Sequence, residues 1–479
     1  MTAQTTTAIT SFKHLFGDRA ITPDSRTAFE TTRTQPWSQA NWQAAACYLH
    51  LSSAQEVSST LGIIRETGCK FAIRSAGHNP NLGFNSAGET AVVLDLSNLR
   101  SRELSPNREV AYVGAGNQWG EIYAWLEGEG RSAVGGRCAE VGMGFLLGGG
   151  YPALPNLYGL GSDNVENFEV VLFDSKIINA NTTENLDLFR ALKGGGSNFG
   201  IVTRFDIRTH PLLNLQYSIK LFRPADYIAV NKATIDMQEA MGADPNIGIF
   251  TNYNPQFAAA GLVYANDTGD EYEILDAKLS AALPVPIMVP CPKTEGSQSS
   301  LTKIMDHPGG PQKRYVGTLS TKHSEKLYAD VYHAWQETLP TIPEGGVLHY
   351  TIQPLGTACV EKSESSGGNV MGLEGCAQCW WVFTCEWPDQ GQDSPGDTAA
   401  RSALDTLVQK VQEYARSKGL LLDYLTSNFA SAGQPVLQSY GFENVKLMRE
   451  AANKYDPEGL FQKQQCGGFL LRDISGLEV

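Results

Sequence analysis

The sequence predicts an α+β fold in more than one domain, on three observations. Apolar runs with strand character interleave with segments of helical spacing. The glycine-rich loops between them stop at His210-Pro211, which divides the chain into two unlike parts. At 479 residues the chain is too long for one compact core, so two or three domains are expected.

Residues 1–37 read as a polar lead-in. From Ala54 to Thr67 the spacing is helical, with Val57, Leu61 and Ile64 on one face. Phe71-Ala72-Ile73-Arg74 reads as a strand, Thr90–Leu96 as a mostly apolar and therefore buried one, and Glu109–Gly114 as a third. Trp119–Glu129 is a helix that groups Trp119, Ile122, Tyr123 and Leu126. Val165–Asp174 and Lys176–Ala180 make a hairpin, Leu186–Leu192 a short helix, and Gly200–Ile207 a closing strand. Beyond His210-Pro211, a helix over Tyr227–Met241 alternates with strand-like runs at Asn246–Phe250 and Trp380–Phe383. Ser363–Gly368 is a small-residue loop and Asp389–Asp397 a polar one. The last helix, Glu443–Tyr455, stops at Asp456-Pro457-Glu458-Gly459, where proline cannot continue the hydrogen-bond ladder.

Composition narrows the function. A net charge of −14 without a long basic run argues against nucleic acid and anionic membranes as partners. No apolar stretch of about 18 residues exists to span a bilayer. Met1–Ala20 is threonine-rich and lacks the apolar core of a secretory signal, so a cytoplasmic location is expected. Without a signal, the sequons at Asn181-Thr182-Thr183 and Asn266-Asp267-Thr268 read as chance. Nine cysteines, an odd number in a chain this long, do not make a disulfide scaffold. Cys376 and Cys379 form a CxxC with no second pair at zinc spacing, so they read as structural and no metal site is expected.

The chemistry concentrates in two loops. Arg74-Ser75-Ala76-Gly77-His78-Asn79 follows a strand end, and its small residues let backbone N–H groups approach a pyrophosphate as an anion nest. A histidine in such a turn can reach the ring that the pyrophosphate belongs to. Gly135-Gly136-Arg137-Cys138-Ala139-Glu140-Val141-Gly142-Met143-Gly144 places a thiol in a second glycine-rich loop. The G-x-G-x-x-G fingerprint is met by none of the glycine clusters; Gly148 to Ala153 is a partial match without a strand of the right length before it. The phosphate loop G-x-x-x-x-G-K-[ST] is absent too, so the cofactor loops are of another kind.

These blocks resemble those of the berberine-bridge-enzyme-like oxidases, in the vanillyl-alcohol-oxidase and p-cresol-methylhydroxylase flavoprotein superfamily. The Arg74–Asn79 loop is similar to the family's R-S-G-G-H turn, with Ala76 in place of a glycine. Cys138-x-x-Val141-Gly142-x-Gly144 leads to Gly148-Gly149-Gly150-Tyr151. Tyr158-Gly159-Leu160-Gly161-Ser162-Asp163-Asn164-Val165, Leu192–Thr203 and Lys454–Gln462 complete the resemblance, in a style that looks fungal. It implies a two-part FAD-binding domain of the p-cresol-methylhydroxylase type over 38–212 and a substrate domain over 213–440, whose antiparallel sheet is covered by helices. Residues 441–479 would return to the FAD domain.

The same resemblance implies FAD joined through its 8α-methyl to His78 and through C6 to Cys138. Arg74, Ser75, Ala76, Gly77 and Asn79 would serve the pyrophosphate, and Val141, Gly142, Gly144, Gly149 and Gly150 the flavin. Asp163, Asn164 and Val165, with Gly200, Ile201 and Val202 on the adenine side, complete the implied cofactor set. Val141 stands where valine accompanies oxidase behaviour in plant relatives, which implies O₂ as the electron acceptor and hydrogen peroxide as product. The implied reaction is hydride transfer from a C–H of a small organic alcohol or amine to flavin N5, while a protein base takes the O–H or N–H proton. An oxidation of this kind can trigger ring closure. Tyr424-Leu425-Thr426-Ser427-Asn428 resembles the family's Y-x-N-Y/F segment with extra residues, which makes Tyr424 and Asn428 candidates beside the substrate. Glu364 and Tyr151 are further candidates for the base. A carbohydrate oxidase and a non-redox flavoprotein isomerase or cyclase are the alternatives.

Overall fold

A computed structural model of the chain describes residues 1–265, 269–305, 310–391 and 393–474, which leaves the Asn266-Asp267-Thr268 sequon outside the described residues. Sheets of four, five and eight strands carry the architecture. In the first, Cys47–His50 and Lys70–Arg74 both pair parallel to the central Ala91–Asp95. All five central residues are buried, which is why this strand reads as a continuous apolar run. The helix Ala54–Thr67 makes the crossover; the Ser53 side chain caps its first turn and Gly68, at φ +69°, ends it in a left-handed conformation.

Residues 1–37, expected as a polar lead-in, instead form helices at Ala3–Phe16 and Arg26–Arg33. The first buries Thr5, Ala8, Ile9, Phe12 and Phe16 and packs against Ala54–Thr67. Its apolar stripe is interrupted by threonines, which hid it in the sequence.

The second sheet is antiparallel, in the order Arg102–Leu104, Val110–Gly114, Ile201–Arg208, Val165–Val171, Ile177–Asn181. Its last two strands are the hairpin expected from sequence. The third, also antiparallel, runs Met288–Gly296, Leu215–Phe222, Phe257–Ala265, Ile247–Asn254, Val347–Leu355, Gln378–Trp387, Lys313–Thr321, Leu421–Leu422.

Helices Tyr227–Ala243, Glu325–Thr338 and Pro395–Ser417 cover one face of the eight-stranded sheet. The two-residue period of a strand sorts its side chains between the faces. Tyr253, Tyr350, Trp381 and Phe383 turn toward the helices, where Tyr253 stacks on Tyr350 at 4.8 Å and Trp335 meets both rings. Their neighbours Asn252, His349, Thr351, Val382 and Thr384 turn the other way and line a cavity. Ser363–Ser365, expected in a loop, belong to the helix Thr357–Ser365.

Candidate flavin and substrate site

A cavity of about 920 Å³ is bounded by residues of both smaller sheets on one side and by the uncovered face of the eight-stranded sheet on the other. Its first wall begins where the strand Lys70–Arg74 ends. Arg74 does not line the cavity. Its guanidinium is buried against Asp95, with Nη2 and Nε donating to Oδ2 at 2.6 and 2.8 Å, and Nη1 donates to the Thr32 carbonyl at 3.1 Å. Burial works to raise the Asp95 pKa, but Arg74, helped by His50 and Ser97, holds it below the ordinary value. Arg74 is therefore the anchor behind the loop, which corrects its expected place at the pyrophosphate.

Beyond the anchor, Ser75, Ala76, Gly77, His78 and Asn79 all line the cavity. Ser75 Oγ donates to the Ala115 carbonyl at 2.5 Å, and the Gly77 carbonyl accepts from Trp37 N at 3.1 Å. The Asn79 carbonyl accepts from Asn41 Nδ2 at 3.0 Å and Asn85 Nδ2 at 2.7 Å. Gly77 sits at φ +74°, a conformation that disfavours any side chain. The His78 ring stacks on Trp37 at 4.4 Å and 13°, and the Arg314 guanidinium lies 4.1 Å from the Trp37 ring. Sequence reading missed this stack, since Trp37 and Arg314 are remote from the loop in the chain.

The second loop docks on the helix Trp119–Gly128. Trp119 N donates to the Val141 carbonyl at 2.9 Å, and Gly120 N to the Ala139 carbonyl at 3.0 Å. Gly135 is required because a Cβ there would fall 2.1 Å from the Trp119 ring. Cys138, Val141, Gly142 and Gly144 line the cavity. The two loops touch: a Cβ on Gly142 would lie 2.7 Å from Ala76 Cβ and 3.0 Å from Ser75 Oγ. His78 and Cys138 are thus brought to one cavity by loops that far apart in sequence pack directly together.

Gly200, Ile201 and Val202 line the cavity as expected, whereas Gly149, Gly150, Asp163, Asn164 and Val165 do not. These last residues support the glycine loop from outside. Gly149 and Gly150, at φ +102° and +76°, turn the chain, and their carbonyls accept from Ser162 N and Gly161 N. Asp163 Oδ2 accepts from Leu160 N at 2.8 Å and Ser363 Oγ at 2.6 Å, and burial pushes its carboxyl pKa up. Asn164 Nδ2 donates to the carbonyls of Tyr158 and Leu160. Val165, itself buried, begins the strand Val165–Val171.

The expected base candidates separate likewise. Tyr424 is buried away from the cavity, with its hydroxyl 3.5 Å from Met371 Sδ and its ring stacked on Tyr440. Glu364 is exposed on its helix. Both are corrected: the extra residues before Asn428 carry Tyr424 into the core, and helical rotation carries Glu364 to solvent. Tyr151 lines the cavity, but its hydroxyl donates to the Pro354 carbonyl at 2.6 Å and burial pushes its pKa up, so it is a poor proton acceptor. Asn428 lines the cavity and clamps the glycine loop, accepting from Gly150 N at 2.9 Å and donating to the Phe145 carbonyl at 3.0 Å.

The third sheet supplies side chains that sequence reading missed. Asn252, Asn254, His349, Thr351, Gln353, Thr384 and Glu386 share its cavity face with apolar Ile219, Leu221, Phe250, Phe257 and Val382. Glu386 is the one carboxylate among the described cavity-lining residues, and Arg314 Nε donates to it at 2.8 Å. The signal was present in the alternation His349-Tyr350-Thr351-Ile352-Gln353 and in Phe383-Thr384-Cys385-Glu386. Cys376 and Cys379 remain thiols, and among the described residues no cluster of His, Cys, Asp and Glu could hold a metal ion. Among them too, no helix is long and apolar enough to cross a membrane.

The residues fit FAD. Glycines 77, 142, 144, 148, 194–196 and 200 present bare backbone along the cavity, which leaves room for a large flat group to lie against the chain. The FAD binding domain family matches residues 45–181. The chain is 34% identical to an FAD-dependent monooxygenase of Arthrobotrys oligospora, covering 91% of this chain and 84% of that protein. It is 34% identical to an FAD-dependent monooxygenase of Penicillium terrestre, over 92% and 84%, and 29% identical to the bifunctional solanapyrone synthase of Alternaria solani, over 89% and 81%. Among solved structures, it is similar to a glucooligosaccharide oxidase from Acremonium strictum, described with a 6-S-cysteinyl, 8α-N1-histidyl FAD (TM-score 0.79, 18% identity, 95% of this chain and 97% of that one). It is also similar to a berberine-bridge-enzyme-like protein of Physcomitrella patens (TM-score 0.76, 16% identity, 96% and 99%). The chain is an FAD-dependent oxidoreductase of the same family as these fungal FAD-dependent monooxygenases, and it has the fold of the berberine-bridge-enzyme-like and oligosaccharide-oxidase flavoproteins.

Proposed function

We propose that this enzyme is an oxidase of small, largely apolar organic molecules, alcohols or amines of secondary metabolism, and that it holds FAD through covalent bonds to both His78 and Cys138. The observation that carries this reading is the contact between the two loops, which presents imidazole and thiol to one cavity. Bound FAD supplies a two-electron acceptor for hydride from a substrate C–H and a route for those electrons to O₂, giving hydrogen peroxide. The protein does the rest. Apolar Ile219, Leu221, Phe250, Phe257 and Val382 take the substrate body, and Asn252, Thr351 and Thr384 orient its polar groups. Glu386, held by Arg314, is the proton acceptor for the substrate O–H or N–H. Val141, on the cavity wall, leaves O₂ a path to the site. Where the oxidised substrate carries an internal nucleophile or diene, confinement against the cavity walls favours ring closure.

Although polar side chains stud the sheet face, the cavity lining as a whole is mainly apolar, which weighs against the oligosaccharide substrates named for several structural neighbours, because sugars are bound through dense hydrogen bonding. The experiment is to mix substrate-reduced enzyme rapidly with air-saturated buffer and to measure peroxide per flavin. Fast reoxidation with one peroxide per flavin supports an oxidase, and reoxidation over minutes to hours overturns it. The related proteins are named monooxygenases; oxygen-18 from O₂ in the product, in place of peroxide, assigns that chemistry instead. Bleaching of the yellow colour by anaerobic substrate excludes an isomerase.

A further inference from the structure

We infer that Arg137 is the recognition site for an anionic oxygen on the substrate, a carboxylate or the ionised oxygen of an acidic enol or phenol. Arg137 is the sole Arg or Lys among the described cavity-lining residues. No Asp or Glu lies within salt-bridge distance of its guanidinium among the described residues, whereas the guanidiniums of Arg314 and Arg74 are taken by Glu386 and Asp95.

The side chain is held in place by neutral groups. Nη2 donates to Gln353 Oε1 at 2.8 Å, and the guanidinium carbon lies 4.9 Å from the Tyr151 ring centre. Both braces are themselves fixed: Tyr151 by its hydroxyl on the Pro354 carbonyl, and Gln353 by the strand Val347–Leu355. Phe250 lines the same cavity as Arg137 and Gln353. A planar, always-charged fork with no carboxylate partner among the described residues keeps donors for an anion. The braces belong to the eight-stranded sheet and the tyrosine beneath it, which places the charge on the substrate side of the cavity and next to Cys138.

This inference rests on the reading that the substrate occupies this cavity. The test needs no turnover, so it stands or falls apart from the oxidase chemistry. The FAD-loaded enzyme is titrated with 2-naphthoate and with its neutral counterpart 2-naphthamide, following the visible flavin spectrum. Wild type is expected to bind the acid at least about tenfold more tightly than the amide. In R137M that preference is expected to vanish while amide affinity stays within about twofold. R137K, which keeps the charge but not the fork, is expected to keep part of the preference. Equal binding of acid and amide by wild type, no spectral response to either probe, or a preference that survives in R137M overturns the inference. Loss of FAD from R137M and R137K alike also overturns it, by moving Arg137 to the cofactor.

Discussion

Moving one methyl group between the two flavin loops tests how tightly they must pack. In Gly142→Ala the new Cβ would stand 2.7 Å from Ala76 Cβ, 3.0 Å from Ser75 Oγ and 3.1 Å from Ala76 N. Carbon atoms in contact prefer about 3.5–4.0 Å, so the loops must part by roughly 1 Å. Gly142 has φ −90° and ψ 174°, which alanine adopts freely, so the effect is steric alone. Overpacking of this kind costs about 1–3 kcal/mol. On the proposed double linkage, the same displacement separates the two groups that meet the ring from opposite loops, and a 1 Å misplacement slows an oriented reaction by about 100-fold. G142A should therefore unfold at lower denaturant and carry mostly singly linked FAD. The double variant A76G/G142A removes the atom in closest conflict and should recover double linkage and most of the stability. The assays are urea unfolding and peptide mass mapping after acid precipitation. Wild-type linkage in G142A, or a double variant no better than G142A, refutes the reasoning.

Other outcomes follow from the same structure. Asn428→Ala removes the acceptor for Gly150 N and the donor to the Phe145 carbonyl, so it should cost about 1–3 kcal/mol in urea unfolding and loosen FAD retention on a gel. Tyr424→Phe and Glu364→Gln should leave turnover within about twofold of wild type, because neither side chain reaches the cavity, whereas Glu386→Gln should slow substrate reduction of the flavin by about 100-fold or more in stopped flow. His210 stacks on Tyr158 at 3.6 Å, and its pKa is lowered to about 4, chiefly by burial and then by Arg208 and Arg131. As pH falls, the unfolded imidazole takes up its proton first, so the stability tied to neutral His210 is complete above about pH 6.5 and lost between there and about pH 4. That loss amounts to roughly 3 kcal/mol at most, and unfolding curves of H210Q should fall less steeply over this window than those of wild type.

The flavin loops were legible because their chemistry is local. A histidine in a glycine turn and a thiol in a second one are visible in short motifs, and Ser75–Asn79, Cys138, Val141 and Gly142 all reach the cavity. Arg74, Asp163 and Asn164 look like cofactor ligands in the same motifs but act behind them, since burial direction at a strand end or a tight turn is set by tertiary packing. The substrate wall was hidden for a different reason. Asn252, His349 and Glu386 meet only through the pairing order of an antiparallel sheet, which long-range contacts decide. The helix Ala3–Phe16 was missed because threonines carry part of its buried face.

Two loops are proposed to tether one flavin. Acid-precipitated protein, digested and mapped by mass, is predicted to yield a single yellow species in which one FAD joins the peptides containing His78 and Cys138. Yellow colour left in the supernatant, or FAD attached to neither peptide, would contradict it.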